Sequence, residues 1–221
     1  MIDAALARCR FASWAAPGAP EVWALRHSGD APARPEAGRE RMRQAARDAL
    51  RTRLAAALGV PAAAIAIGQQ RGQAPSVRWQ PSIPVDDAAL AARLSRTALS
   101  ISHDTGVSLI AWHGAGPVGV DVVRLGVTAS ANELAHIAAL YLEPKSPSAL
   151  VQQAQSAINN EAILQRWACH EARLKCAGLG LVEWNDALAA ALAHIHAVRV
   201  KLPPWAGDAV AAVAWRWPLS A

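Results

Sequence analysis

The 221-residue chain is 53% hydrophobic and 18% charged, a balance that fits one large globular domain or two small ones. Its net charge of +5 comes almost entirely from arginine, since lysine occurs only at 145, 175 and 201. No apolar run approaches the roughly 18 residues of a membrane helix, and the opening segment is a poor, proline-broken secretory signal. Cys9, Cys169 and Cys176 fit no zinc spacing and cannot all pair, so small buried thiols in a cytoplasmic protein are expected.

Along the chain, "EVWALRH" (Glu21 to His27) alternates as a strand does, and "APARPEAG" reads as a loop. From Arg39 to Leu58 the spacing of Met42, Ala46, Leu50 and Leu54 is helical, with Gly59 as a stop. This helix carries Arg43, Arg47 and Arg51 on adjoining turns, a basic face suited to phosphates or an acidic partner. "GQQRGQAPSVRWQPSIP" reads as loop, leading to a helix over Asp86 to Arg96. Val107 to Trp112 and Val118 to Val123 read as strands joined into a hairpin by "HGAGP". Helices are expected from Ala131 and over Asn160 to Cys176, then two closing strands with a turn at Pro203 to Asp208. The pattern predicts an α+β fold, arranged as two similar lobes, with tryptophan supplying much of the aromatic core.

Chemistry concentrates in three places. In the strand Val118 to Val123, Val118, Val120 and Val122 form an apolar face, while Gly119, Asp121 and Val123 face the other way. A carboxylate inside a valine strand is costly unless it meets water, a donor or a metal, and Gly119 leaves room for a ligand near the backbone. "SISHDTG" supplies Ser100, Ser102, His103 and Asp104, whose donors suit phosphate oxygens or a local Asx or Ser turn. A hydrolase triad is disfavoured, because no G-x-S-x-G elbow occurs. In "WACHEARLKCAGLGL", Trp167, Glu171 and Lys175 form one helical column that Gly178 ends. Alone, Glu171 and Lys175 would be a solvated ion pair worth about 0.2–0.5 kcal/mol.

Taken together, "SISH", "GVDVV" and "WACHEARLK" followed by "AGLGL" resemble the 4′-phosphopantetheinyl transferase superfamily, and its larger pseudo-dimeric class in particular. The resemblance implies an N-terminal lobe over residues 1–114 on the nucleotide side and a C-terminal lobe over 115–221 with the metal and catalytic residues. It implies Mg²⁺-dependent transfer of the phosphopantetheine arm of coenzyme A to a serine of an acidic acyl or peptidyl carrier protein. Asp121 and Glu171 would be the metal ligands, and Glu171 and Lys175 the catalytic pair. Ser102, His103 and Lys175 would contact cofactor phosphates, with Arg47 and Arg71 as further candidates for the nucleotide 3′-phosphate. The chain has Val123 where the family often has a second acid, which leaves the metal one protein oxygen short, and His170 where it often has lysine. His170 is expected still to reach phosphate. A monomer is expected. The competing readings are a non-catalytic coenzyme A or carrier-binding module of the same fold and, more remotely, an arginine-rich nucleic-acid binder.

Overall fold

A computed structural model describes residues 6–11, 18–27, 35–68, 70, 73–80, 88–124, 130–144 and 157–216. The first elements are β1 (Leu6–Arg8), β2 (Arg10–Phe11), β3 (Glu21–Arg26) and α1 (Pro35–Leu58). A short ribbon, β4 (Ile65–Gly68) and β5 (Ser76–Trp79), precedes α2 (Ala88–Arg96), β6 (Ala98–Asp104) and β7 (Val107–His113). Then come β8 (Val118–Arg124), α3 (Ala131–Tyr141), α4 (Ala157–Ala177), α5 (Asp186–Leu192), β9 (Ile195–Lys201) and β10 (Ala209–Arg216). The fold is mixed α+β, and none of its described helices is long and apolar enough to cross a membrane.

Two four-stranded antiparallel sheets carry the chain, ordered β1-β3-β7-β6 and β2-β9-β10-β8. Their connectivity repeats. A strand, a long helix and a hairpin follow in sequence (β3, α1, β6–β7, then β8, α4, β9–β10), and each time the last strand is central. The N-terminal segment crosses between sheets at Cys9, since β1 pairs with β3 and β2 with β9. One apolar cluster is shared by both sheets: Val22, Val107, Leu109, Val118, Val120, Val122, Val213 and Trp215 all belong to it. Helix α1 covers the outer face of the first sheet through Ala46, Leu50 and Leu54, and α4 covers the second through Ala168, Ala172 and Leu174.

The sheets meet where β6 passes β8, and side chains make that seam. Ser100 Oγ accepts from Val120 N (3.0 Å), Ser102 Oγ from Val122 N (3.4 Å) and Asp104 Oδ2 from Arg124 N (2.7 Å). Every second residue of β6 thus satisfies a backbone donor that β8 would otherwise leave unpaired. Ser100 and Ser102 are accordingly buried without penalty.

Several expectations meet a different structure. Val107 to Trp112 and Val118 to Val123 are strands, but they do not pair with each other; β7 pairs with β3 and β6, and β8 with β10. The hairpin lies one strand earlier, where Asp104 faces Val107 across Thr105 and Gly106, the glycine taking φ 75°. "HGAGP" instead carries the chain from one sheet to the other. The stretch read as loop holds β5, which pairs with β4 at its start, and Ile65 and Val77 of this ribbon join the apolar cluster under α1 and α2. Of the described tryptophans only Trp112 and Trp215 are buried, so the interior is chiefly alanine, valine and leucine.

Candidate functional site

Helix α4 lies against β8 at Gly119. A Cβ at that position would stand 2.0 Å from the Ala172 carbonyl oxygen and 2.6 Å from the Cys176 nitrogen. The space beside Gly119 is therefore filled by helix backbone and not by a ligand, which corrects the expectation from sequence. This close approach brings Lys175 to β8, fifty-four residues away in the chain. Its ammonium donates to Asp121 Oδ1 at 2.7 Å, to Ser102 Oγ at 3.2 Å and to the Val120 carbonyl at 3.2 Å, so all three of its protons have acceptors. Ser102 in turn donates to Asp121 Oδ1 at 2.8 Å. The hydroxyl of Ser102 orients the carboxylate and is buried with it.

Asp121 is 7% exposed, and burial pushes its carboxyl above the ordinary range while Lys175 pulls it back. Glu171, one turn before Lys175, is half-buried and makes no hydrogen bond among the described residues. Burial first, and then repulsion from Asp121, raise its pKa against the pull of Lys175. Two hard oxygen donors on facing elements, strained by mutual repulsion, are a chemical fit for a divalent cation. No group of three or more His, Cys, Asp or Glu able to hold a metal occurs among the described residues, so such a cation would need oxygens from a ligand and water. Val123 shares the outward face of Asp121 but packs against the apolar clusters of α3, α4 and α5.

The helix ends as its glycine suggests. Gly178 takes φ 70°, its N–H donates to the Lys175 carbonyl, and Leu179 N–H donates to that of Leu174 at 2.9 Å, the paired bonds of a Schellman cap. Beyond it, Leu179, Leu181 and Val182 are exposed. His170, by contrast, does not face the carboxylates. It is buried between Trp167 and Trp184, with ring centroids 6.3 and 6.0 Å away, and burial pushes its pKa down to about 4. One helical step of about 100° separates it from Glu171, so His170 does not share the helical face of Glu171 and Lys175 on which the phosphate contact is expected.

His103 stands apart from Ser102 because successive strand residues point to opposite faces. Its Nδ1 lies 2.6 Å from Ser108 Oγ, which also lies 2.6 Å from His27 Nε2. Burial, His27, Arg43, Lys175 and Arg47 together push His103 down to about 4. Arg47 belongs to this cationic surround, although Glu40 (2.7 Å) and Gln44 (2.8 Å) hold its guanidinium along α1. Arg71 lies outside the described residues. Sequence reading missed His27 and Ser108. The signal available was the two-residue turn, which makes Ser108 the cross-strand partner of His103.

Lys175→Ala tests the central pair. Removing one partner leaves a buried charge uncompensated, and with Lys175 partly exposed the unfolding free energy at pH 7 should fall by about 2–3 kcal/mol. The fold raises the pKa of Asp121 and so favours its protonated form; that contribution is present below the ordinary carboxylate pKa and is lost as pH rises through the raised value. The deficit of Lys175→Ala should therefore shrink as pH is lowered from 7 to 5. Urea unfolding at both pH values checks this, and an unchanging deficit would count against the pair.

Compared with known proteins, the chain matches no family model and no curated sequence.

Proposed function

We propose that the chain is a 4′-phosphopantetheinyl transferase, similar to the larger two-lobed class, that moves the phosphopantetheine arm of coenzyme A to a carrier-protein serine. The observation that carries this reading is the Asp121–Lys175 contact of 2.7 Å with Glu171 one turn away. The repeated strand–helix–hairpin connectivity supports a two-lobed description, divided near residues 114 and 115 except that β2 joins the second sheet. The net charge of +5 supports an acidic carrier protein as the partner of a cytoplasmic monomer.

Asp121 and Glu171 would hold Mg²⁺, which supplies neutralisation of pyrophosphate charge when bound. Ser102 fixes the rotamer of Asp121, and the Gly119–Ala172 contact fixes the helix that presents Glu171. The carrier serine oxygen bonds to the phosphorus that bears the pantetheine arm. The bond from that phosphorus to the bridging oxygen breaks, releasing adenosine 3′,5′-bisphosphate. Glu171 accepts the serine proton, and Lys175 stabilises the charge that collects on the leaving phosphate.

The deciding experiment is intact mass measurement of an apo carrier protein after incubation with this chain, coenzyme A and Mg²⁺. One added phosphopantetheine is expected, and none in the presence of a chelator. A panel of acidic carriers left unmodified, beside a working transferase, would favour the non-catalytic binding module, the reading to which apolar packing of Val123 lends support. Burial and the repulsion of Asp121 raise the Glu171 carboxyl in the metal-free chain, and a divalent cation held by the two carboxylates would lower it. Titration of Glu171 by ¹³C NMR with and without Mg²⁺ tests this, and a pKa that Mg²⁺ does not move would remove Glu171 as a metal ligand.

A further inference from the structure

Three polar side chains form a row across the α1 face of the first sheet. His27 Nε2 and His103 Nδ1 each stand 2.6 Å from Ser108 Oγ. Ser108 is fully buried, faces His103 in the β6–β7 register, and faces Leu25, two residues before His27, on β3. Its neighbours on this face, Leu99, Ile101 and Ile110, pack under α1, so the row is the polar end of an otherwise apolar surface.

A hydroxyl carries one proton, so Ser108 donates to one imidazole and accepts from the other. Two arrangements satisfy this. In the first, His27 Nε2–H donates to Ser108 and Ser108 donates to His103 Nδ1, which leaves a proton on His103 Nε2. In the second, every bond reverses and His103 Nε2 is a bare lone pair. His103 is neutral near pH 7, because burial, His27, Arg43, Lys175 and Arg47 push its pKa down to about 4. Its one N–H is thus wherever the row puts it. Arg43 and Arg47, which share Glu40, and Lys175, which holds Asp121, surround it with three cations to two carboxylates, and an anion drawn there requires a donor in place of a lone pair.

We propose that His27, acting through Ser108, is a positioning residue that holds His103 with its proton on Nε2, so that the imidazole presents a hydrogen-bond donor to a phosphate group. Only the identity of that phosphate, as part of coenzyme A, rests on the transferase reading. His27 is a positioning residue because its hydrogen-bond route to His103 runs through the buried hydroxyl.

The test is ¹⁵N–¹H correlation NMR of the histidine rings at neutral pH, with adenosine 3′,5′-bisphosphate as the probe. In the wild-type complex His103 should carry its proton on Nε2. His27→Phe deprives Ser108 of its donor and frees it to accept from His103 Nδ1–H. The Nδ1–H form should then appear, and probe affinity should fall about ten-fold, the scale of one hydrogen bond to a charged group. His27→Gln, whose carboxamide N–H can still donate, should restore both. A wild-type complex with the proton on Nδ1 overturns the proposal, and that measurement depends on no variant. So does a folded His27→Phe protein with unchanged ring shifts and affinity. An Nε2–H His103 in a protein that modifies no carrier would sink the transferase reading and leave the positioning pair standing. Carrier modification alongside an Nδ1–H His103 would do the opposite.

Discussion

Gly119→Ala is expected to lower the unfolding free energy by about 3 kcal/mol, a fall of about 10 °C in Tm for a chain of this size. The new methyl would stand 2.0 Å from the Ala172 carbonyl oxygen and 2.6 Å from the Cys176 nitrogen. Both are backbone atoms of α4, so no side-chain rotation relieves the clash and the helix itself has to withdraw. Withdrawal separates Lys175 from Asp121, and the same variant should therefore lose turnover beyond what its lowered stability explains. Gly114→Ala is the matched control, since a Cβ there meets nothing within 4 Å. Calorimetry and urea unfolding of the two variants decide the matter. Equal stabilities would mean that α4 does not approach β8 as described.

The second large effect falls on the carboxylates. Glu171→Gln and Asp121→Asn keep size and shape while removing charge; Glu171→Gln should reduce carrier modification by about 10²–10⁴-fold, the range for loss of a positioned acid–base group, and Asp121→Asn should reduce it by weakening the hold on Mg²⁺. The two should differ in stability. Asp121 is buried and holds the Lys175 ammonium, so Asp121→Asn strands a cation as well as removing a proposed metal ligand. Glu171 makes no hydrogen bond among the described residues and is held at a raised pKa, so Glu171→Gln should leave stability unchanged or slightly improved. Single-turnover assays beside denaturant midpoints separate the two roles. Near-normal turnover in both variants would remove this pair of carboxylates from the chemistry, whatever the fold.

Val123 belongs to the same comparison. Its side chain is packed against apolar residues of α3, α4 and α5, so Val123→Glu places a carboxylate among them. The structure thus assigns a packing role to the position that sequence reading treats as a missing metal ligand.

What the sequence determined by itself is local. The helical spacing of Ala46, Leu50 and Leu54, the stops at Gly59 and Gly178, and the alternation that sends Val118, Val120 and Val122 inward are all written within one or two turns of chain. The placement of Glu171 and Lys175 on one helical face follows from the 3.6-residue repeat alone. Periodicity cannot choose among partners. Both β6 and β8 present suitable faces to β7, and β8 pairs with β10 instead because "HGAGP" leads to the other sheet and β6 fills the edge of β7. Nor can it show what occupies the space beside a glycine: Gly119 serves a helix backbone that arrives fifty-three residues later. His170 and Glu171 are neighbours in the chain, yet one is sealed between tryptophans and the other faces Asp121, a choice made by the sheet on which the helix lies. The His27–Ser108–His103 row joins residues up to 81 apart in sequence, and it exists only because antiparallel pairing sets Leu25, Ser108 and His103 in line. Contacts within a turn carry their own pattern, whereas contacts across sheets are selected by packing, and only the folded chain displays that selection.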